Sequence, residues 1–456
     1  MNIREDFIHF IWRVARFDLR DLRTTTGETI AIRNFGIHNQ DAGPDFSDAQ
    51  IVIDEIPWAG RVEMHLKSSD WYAHRHQHDP AYDNVILHVV LEEDQPVFRE
   101  DGERIPCLEL RGRIPPGIVH SYWRLQHNAD WIPCQNQLYT VPEITRNIFL
   151  DRVLVERMEQ RTQRISRRLE LTRRDWEEVF YQFLARSLGT RVNAEAFDML
   201  ARSLPLRILL KHQHSLLQIE ALFFGQSGLL PAEDETEEAY PLHLIREYKL
   251  LAHKYQLRPL PASTWRYMRL RPANFPTLRI AQLAVIVHRT GRLFDKTVAA
   301  AGVDELKNMF HVTLSNYWQS HYRFGTESRR TARALGSGTV DLIITNTIAP
   351  LLFLYGKERG ETDRSRRALE LLENLPAEQN SIITKWNRLG MVADTAHRSQ
   401  ALLQLKKDYC DKSRCTECAI GSAILQTRHP EDDDLPLLTV NEEARVYSLF
   451  SKREAS

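Results

Sequence analysis

Hydrophobic and polar positions follow two different patterns along this chain. Near the N-terminus, apolar residues recur at helical spacing over residues 6–17, which predicts an amphipathic helix. The short runs after it are alternating or rich in β-branched residues and predict strands at Thr29–Phe35, Ala49–Asp54, Arg61–Lys67, Asn84–Leu91 and Cys107–Leu110. The segment Ile56–Gly60 joins the second and third runs, so we expect an antiparallel hairpin with a longer loop there.

From about residue 145 the pattern becomes that of successive helices. The segment WEEVFYQFLARSLG is typical, with Gly189 as its expected C-cap. Further helical patterns cover 242–255, 278–289, 303–321, 339–356, 364–374, 379–389 and 395–409. We therefore predict an α+β protein with a mixed α/β domain at 1–120, a linker at 121–144, a helical region at 145–425 that ends in a cysteine cluster, and an acidic, partly disordered tail at 426–456.

Composition and charge narrow the class of protein. A chain of 456 residues is longer than one hydrophobic core usually supports, which agrees with more than one domain. The net charge of −1 provides no global attraction to nucleic acid or lipid, so any such binding needs a local basic patch. The sequence lacks a signal peptide pattern and any run of 18 apolar residues, and its five cysteines do not form a secreted disulfide pattern. We expect a cytoplasmic protein without a membrane role.

One predicted strand carries ionisable side chains on a single face. Because side chains alternate along a strand, Glu63, His65 and Lys67 point to one side and three aliphatic residues point to the other. Asp45 lies just before the partner strand, and the hairpin would bring it near the Glu63 strand. Carboxylates hold Mg²⁺ or Mn²⁺ against a phosphate, and a lysine orients the attacking water or stabilises developing charge. This pattern favours phosphodiester hydrolysis; the alternative is an amphipathic strand with a solvated polar face.

The same segment resembles the PD-(D/E)xK nuclease superfamily. In that superfamily an Asp early in a hairpin is followed by an acid and a Lys two residues apart on the next strand; Pro44 and Asp45 match the first half. The resemblance implies a restriction-endonuclease-like core. This chain departs from the pattern, because His65 stands two residues before Lys67 and Glu63 stands four before it. Either His65 replaces the usual ligand, which would favour Mn²⁺ or a softer metal over Mg²⁺, or Glu63 has taken over, or the site is inactive. We name Asp45, Glu63, His65 and Lys67 as catalytic residues and the first three as metal ligands.

A histidine-rich stretch follows the Lys67 strand. It contains His74, His76, His78, Asp79 and His88, but the order of its residues does not match a dinuclear metal-hydrolase motif. We expect it to form a connection near the same site, where His78 and Asp79 could add a ligand or a phosphate contact. A solvated loop is the alternative. His88 lies within an apolar run, which favours a hydrogen-bonded core histidine.

Three cysteines cluster near the C-terminus with C-x4-C-x2-C spacing. Cys410, Cys415 and Cys418 lie in a polar loop, whereas free structural cysteines prefer apolar surroundings. They are one ligand short of a tetrathiolate site for zinc or an iron–sulfur cluster, and Cys134 is the candidate fourth. Cys107 is less suitable because it begins a predicted strand. A redox-active thiol pair and inert cysteines are the alternatives.

Basic segments offer sites for DNA or RNA. An arginine- and aromatic-bearing loop contains Arg266, Arg269 and Arg271, and Arg279 follows it. Guanidinium groups beside aromatic rings suit phosphate contact and base stacking, and they equally suit an interdomain arginine network. The basic stretch 145–175 also contains acids, which favours a solvated helix with salt bridges. We expect four arginines to bind nucleic acid, namely Arg266, Arg269, Arg271 and Arg279.

Several separated segments together resemble one bacterial family, catalogued as domain of unknown function 2851. In chain order they are GPDF, VEMHLKSSDW, HDPAYDNVILHVV, EALFFGQSGLL, RLRPANFPTLRIAQLA and the terminal YC-x4-C-x2-C-x-IG. The resemblance covers most of residues 1–425 and implies no activity, so function is argued from the site. We predict a divalent-metal-dependent phosphodiesterase or nuclease that acts on nucleic acid. A non-enzymatic nucleic-acid-binding or scaffold protein and a hydrolase of small phosphate esters are the alternatives.

Overall fold

The chain consists of two compact units in a computed structural model that describes residues 3–39, 41–331 and 333–427. Unit 1 contains the residues up to Phe149 and those from Leu405 onward, and unit 2 contains Leu150–Gln404. The predicted α+β class is confirmed, because a curled mixed sheet near the N-terminus is followed mainly by helices. The predicted helical region 145–425 differs from unit 2, since the segment from Leu405 packs with the N-terminal residues. The predicted tail lies, from residue 428 onward, outside the described residues.

A six-stranded mixed sheet forms the centre of unit 1. Its strand order is β1-β3-β4-β5-β6, and β2 also pairs with β3. The pairs β1–β3, β2–β3 and β3–β4 are antiparallel, whereas β4–β5 and β5–β6 are parallel. Strand β5 has the sequence VILHVVLE and is buried over its first six residues, as expected for a strand between two parallel neighbours. The strands are β1 (Ile30–Asn34), β2 (Ile37–His38), β3 (Phe46–Ile53), β4 (Ile56–Lys67), β5 (Val85–Glu92) and β6 (Cys107–Glu109).

The hairpin between β3 and β4 has a shorter turn than the sequence suggested. Ile53 pairs with Ile56, so only Asp54 and Glu55 form the loop. Both have positive φ, 45° and 66°, which is the geometry of the two-residue turns that match strand twist. The predicted loop Ile56–Gly60 is instead the first part of β4. Gly60 is required there by close packing, because an added Cβ would lie 2.5 Å from a methyl carbon of Ile86.

Among the described residues, unit 1 has fewer helices than unit 2, and most of them are short. Helix α1 (Glu5–Arg13) buries Phe7, Ile8, Phe10, Ile11 and Trp12 and packs against β4. Its apolar face therefore covers β4, the strand that carries Glu63 and His65. The predicted linker 121–144 is structured, since helix α3 and the 3-10 helix Gln135–Thr140 occupy most of it. The other helices of this unit are α2 (Asp70–Ala73), α3 (Pro116–His127) and, near the C-terminus, α19 (Ala419–Gln426).

In the described part of unit 2, the named elements are helices and one small hairpin, formed by β7 (His321–Arg323) and β8 (Thr326–Glu327). Its first helix is the long α4 (Glu143–Leu171), whose first residues belong to unit 1. The predicted helix 303–321 is interrupted, because buried Val312 and Leu314 lie in a non-helical segment between α12 and α13. The helices are α4 (Glu143–Leu171), α5 (Trp176–Leu188), α6 (Thr190–Ser203), α7 (Leu206–Lys211), α8 (Leu216–Gln226), α9 (Ala239–Tyr255), α10 (Pro276–Thr290), α11 (Leu293–Ala299), α12 (Val303–Met309), α13 (Asn316–Ser320), α14 (Ser337–Ile343), α15 (Ala349–Arg359), α16 (Thr362–Glu373), α17 (Ser381–Arg388) and α18 (Ala396–Gln404).

One continuous helix of unit 2 is long and apolar enough, by length and composition alone, to cross a membrane. It runs from Ser337 to Arg359 through α14, a π-helical turn at Ile344–Ile348, and α15. Within its most apolar stretch, 67% is buried inside the protein. The core helix of a globular unit has the same length and composition, so this feature is weak support for a membrane span.

Candidate metal site

The antiparallel pairing of β3 and β4 places Asp45 beside Glu63. Phe46 pairs with Val62, so the residue before β3 lies level with the middle of β4. The backbone N–H of Asp45 donates to Oε2 of Glu63 at 3.1 Å. In return, Oδ2 of Asp45 accepts a hydrogen bond from the backbone N–H of Met64 at 2.9 Å. The two carboxyl groups are thus held side by side by main-chain contacts rather than by mobile side chains.

Three imidazoles converge next to Glu63. His65 follows it on the same face of β4, and His74 and His76 come from the connection after that strand. One ring nitrogen from each of the three lies within 4.8 Å of the other two. Oε1 of Glu63 is 3.6 Å from Nε2 of His65 and 3.4 Å from Nε2 of His76. The three imidazole nitrogens therefore lie close to one another, and the carboxylate of Glu63 lies beside two of these rings.

The connection after β4 turns back because of its local backbone geometry. Asp70 starts α2 and accepts a hydrogen bond from the backbone N–H of Lys67 at 3.1 Å. Arg75 lies between His74 and His76, and its backbone adopts the left-handed conformation with a φ of 63°. The chain reverses there and forms the 3-10 helix His76–His78, and the ring of His76 stacks on Tyr82 at a centroid distance of 3.9 Å. This turn brings His76 back to the strand that it has just left.

A fourth histidine supports the site from behind. His88 lies opposite Glu63 in the parallel β4–β5 pair and is fully buried. Its Nε2 is 2.9 Å from Nδ1 of His65. A proton shared at this contact fixes the ring of His65 with Nε2 turned toward the other imidazoles, as in many metal sites where a second group orients the ligand. Trp71 packs its ring against both His76 and His88.

Helix α1 contributes one further histidine. Nε2 of His9 lies 3.2 Å from Oδ2 of Asp45, and the ring of His9 also packs against those of His38 and Phe46. No pattern in the sequence points to His9, because this residue stands between apolar residues of a helix far from the strand motif. Only the packing of α1 on the sheet brings it to the carboxylates.

The electrostatics of this cluster favour a bound cation. Burial raises the pKa of Glu63 to about 9, and the charge of Asp45 adds to the rise. Burial lowers the pKa of His88 to about 3, and burial together with the neighbouring imidazoles lowers that of His65 still further. The pKa of His76 is lowered for the same two reasons. The lowered pKa values favour the uncharged imidazole forms of His65, His76 and His88, and a cation would restore the charge on Glu63.

The donor set is that of a transition metal. Three imidazole nitrogens with a carboxylate beside them suit zinc, iron, nickel or manganese better than Mg²⁺, which prefers oxygen ligands and retains several waters. The side chains of His65, His74 and His76 fit such an ion, and Glu63 and Asp45 lie next to them. Two of these ligands were not among the predicted ones, because His74 and His76 were assigned only to a nearby connection.

The other predicted residues lie in several places. Lys67 ends β4 on the same face as Glu63 and His65, and its side chain is exposed, with no ion pair in the described part of the chain. His78 is exposed, and Asp79 caps the following 3-10 helix by accepting from the backbone of Ala81, so neither joins the three imidazoles. The predicted ligands Cys134, Cys410, Cys415 and Cys418 all belong to unit 1. Among the described residues, the group whose ligand atoms lie within 4.8 Å of one another is His65, His74 and His76, and it does not include these cysteines.

The arginines predicted to bind nucleic acid divide into two groups. Arg266, Arg269 and Arg271 are exposed in unit 2. Arg279 is only 5% exposed, and its guanidinium donates to side chains of Gln282 and Asn274. It therefore supports the loop from inside and does not offer its charge to solvent.

Comparison with known proteins places the chain in a family. The family described as "Protein of unknown function (DUF2851)" matches residues 5–381, which is most of the chain. The protein belongs to this family, and the resemblance seen in the sequence is confirmed. No curated protein and no solved structure matches it. None of these comparisons supports the nuclease resemblance, which rests on the site residues alone.

Proposed function

We propose that this protein is a transition-metal-dependent hydrolase of phosphodiester bonds, with nucleic acid as its substrate. The observation that carries the proposal is the convergence of ring nitrogens of His65, His74 and His76, with the carboxyl groups of Glu63 and Asp45 alongside. A solvated polar strand would have no reason to bury Glu63 and His65, at 5% and 1% exposure, beside two more imidazoles.

The residues divide into ligands and groups that act on the substrate. Glu63 and the three imidazoles would hold the cation, which when bound would polarise a phosphoryl oxygen and make a water molecule more acidic. Asp45 is held by the N–H of Met64 and faces His9, so it can accept a proton from a nucleophilic water and share it with that imidazole. Lys67 offers an exposed ammonium group at the end of β4, where it can contact a substrate phosphate.

The strand arrangement favours a nucleic acid over other phosphodiesters. The order helix, strand and hairpin, with Asp45 directly before β3 and Lys67 at the end of β4, suits the core that the PD-(D/E)xK resemblance implies. In place of the usual acid, His65 belongs to a set of three histidines, which accounts for the departure from the motif. Arg266, Arg269 and Arg271 add exposed positive charge suited to a phosphate backbone.

The test compares metals, substrates and matched variants. The purified protein is incubated with Mn²⁺, Zn²⁺, Mg²⁺ or a chelator on labelled DNA and RNA oligonucleotides, a bis-aryl phosphodiester and an aryl phosphate monoester. We expect cleavage of an oligonucleotide with Mn²⁺ or Zn²⁺, lost in His76→Ala and in Lys67→Ala. His78→Ala is the control, because it removes an exposed imidazole two residues from the site.

Each other outcome has a definite meaning. Faster turnover of the monoester than of any oligonucleotide would assign the site to small phosphate esters. Retention of DNA without cleavage by either wild type or Lys67→Ala would assign the protein to nucleic-acid binding. Equal metal affinity of His76→Ala and wild type, measured by calorimetry on folded protein, would refute the metal site itself.

A further inference from the structure

A cavity of about 350 Å³ lies in unit 1 beside helix α1. This volume falls within the range of small-molecule sites, which begins at roughly 300 Å³. Helix α1, strand β2 and the loop that precedes α19 form its wall. The cavity reaches the surface, because the side chains of Arg414 and Glu417 are 38% and 32% exposed. Its polar lining residues include Asp6, His9, Arg13, His38, Arg414 and Glu417.

Hydrogen bonds between distant segments fix this wall. Oγ1 of Thr416, which also lines the cavity, donates to Oδ2 of Asp6 at 2.8 Å. The hydroxyl of Tyr122 donates to Oδ1 of the same carboxylate at 3.1 Å. The guanidinium of Arg13 donates to the backbone carbonyl of Thr416 at 2.6 Å. Because the lining groups are already held in place, a ligand that binds here loses less free energy to the ordering of side chains.

The charged groups of the wall balance one another. Two acids, Asp6 and Glu417, stand with two arginines, Arg13 and Arg414. Nε of Arg414 donates to Oε1 of Glu417 at 2.8 Å, so these two charges compensate each other. A phosphate group would need a surplus of positive charge, and a metal ion would need converging ligand atoms, which the described residues of this wall do not provide. The wall therefore suits an uncharged ligand that both donates and accepts hydrogen bonds.

Aromatic rings also line the cavity. The rings of His9 and His38 have centroids 5.6 Å apart, and Phe46 lies 5.0 Å behind His38. Burial lowers the pKa of His38, and nearby His9 and Arg13 add to the fall, which favours the uncharged ring. Phe10 completes this apolar side. Histidine and phenylalanine rings are surfaces on which unpaired bases stack. Flat rings beside donors and acceptors therefore match a nucleobase.

His9 connects the cavity with the candidate metal site. Its Nε2 is buried and lies 3.2 Å from Oδ2 of Asp45, while its side chain as a whole is 19% exposed. The accessible part of the ring therefore belongs to the cavity that it lines, and the buried nitrogen belongs to the carboxylates. Asp45 in turn is bonded through its backbone N–H to Glu63. A ligand in the cavity thus lies one imidazole ring away from Asp45.

We propose that this cavity binds one unpaired nucleobase of the substrate, beside the phosphodiester bond that lies at the candidate metal site. This role rests on the proposed function and narrows its substrate to single-stranded nucleic acid. In a duplex the edge of each base is occupied by the opposite base, and its faces are covered by its neighbours. Only a base that has left the stack can present its edge to the acids and arginines and its face to His9 and His38.

Binding of labelled oligonucleotides, measured by fluorescence anisotropy with Mn²⁺ and again with a chelator, tests the cavity with and without turnover. The probes are short single strands of DNA and RNA, their blunt duplexes, and the same single strands with one abasic position placed at each point in turn. We expect wild type to bind the single strands more tightly than the duplexes. At one place the abasic position should weaken binding by about 5- to 150-fold, which is the loss of one stacked base.

A matched pair of variants on β2 assigns the effect to the cavity. His38→Ala should weaken binding of the intact strand by a similar factor and should no longer distinguish the abasic strand. Ile37→Ala, which removes a side chain that is 65% exposed on the same strand, should bind as wild type does. If circular dichroism shows that His38→Ala does not fold, the abasic comparison in wild type decides alone.

The outcomes separate the cavity from the proposed hydrolysis. Equal affinity of wild type for single strands and duplexes, or no effect of the abasic position at any place, would overturn the base site even if the strands are cleaved. Tighter binding of single strands that depends on one base, without cleavage in any metal, would support the base site and refute the hydrolysis. Absence of binding to every probe would overturn both.

Discussion

Glu220 is a carboxyl group enclosed by the helices of unit 2, and it lies in one of the segments that carry the family resemblance. Glu220 is only 1% exposed. Oε1 accepts a hydrogen bond from Oγ of Ser315 at 3.1 Å, and the hydroxyl of Tyr240 also bonds to the carboxyl group. Burial raises the pKa of Glu220 to about 7, and these hydrogen bonds offset only part of that rise. Replacing Glu220 by glutamine removes the titration and keeps the shape of the side chain.

The sign of the effect follows from proton binding. The ordinary glutamate value is 4.5, so between about pH 4.5 and pH 7 the folded state binds more protons than the unfolded state. The contribution of Glu220 to the free energy of unfolding therefore decreases as pH rises through this window. Above about pH 7 this contribution no longer changes with pH. With about 1.4 kcal/mol per pKa unit, the full loss is about 3 kcal/mol, of which about 2.5 kcal/mol falls between pH 5 and pH 8.

Urea unfolding at pH 5 and pH 8 measures this loss. Glu220→Gln should gain about 2.5 kcal/mol relative to wild type on going from pH 5 to pH 8, seen as a shift of the unfolding midpoint. Tryptophan fluorescence reports on the transition, and Trp318, which stacks on Phe224 of the same helix as Glu220, contributes to it. The exposed Glu235→Gln is the control and should show no such gain. The same pH dependence in Glu220→Gln and wild type would refute the reasoning.

Three other substitutions test separate contacts. His88→Leu removes the partner of His65 and should weaken Mn²⁺ or Zn²⁺ binding by roughly 10- to 100-fold in calorimetry; unchanged affinity would show that His88 does not orient the site. Gly225→Ala places a Cβ 2.0 Å from the ring of Tyr248 and should destabilise unit 2 by about 1–3 kcal/mol, with partial recovery in the double variant Gly225→Ala/Tyr248→Ala. A urea unfolding midpoint of Gly225→Ala equal to that of wild type would contradict this. Asn380→Ala removes a cap that accepts two backbone N–H bonds at 3.0 Å and should cost about 1 kcal/mol, while Asn380→Asp should cost less; equal losses would argue against capping.

Local patterns in the sequence determined most of the secondary structure. The one-face ladder Glu63, His65 and Lys67 follows from the strand period alone, and the run VILHVVLE identifies a buried strand. Gly189 shows the limit of local reasoning. It ends α5 as predicted, but its φ is −66°, and the reason for glycine is that a Cβ would meet the carbonyl oxygen of Asn193 at 2.5 Å.

The tertiary structure alone decided which polar groups share a site. A strand pattern gives the face of Glu63 and His65, but the parallel pairing with β5 supplies His88, the reversal at Arg75 supplies His76, and helix packing supplies His9. Sequence spacing is silent on these partners because each contact joins segments whose approach depends on the packing of the whole sheet. The same reason explains why Arg279, basic and near a polar loop in the sequence, lies inside the protein: the helix that carries it is buried on every side along most of its length.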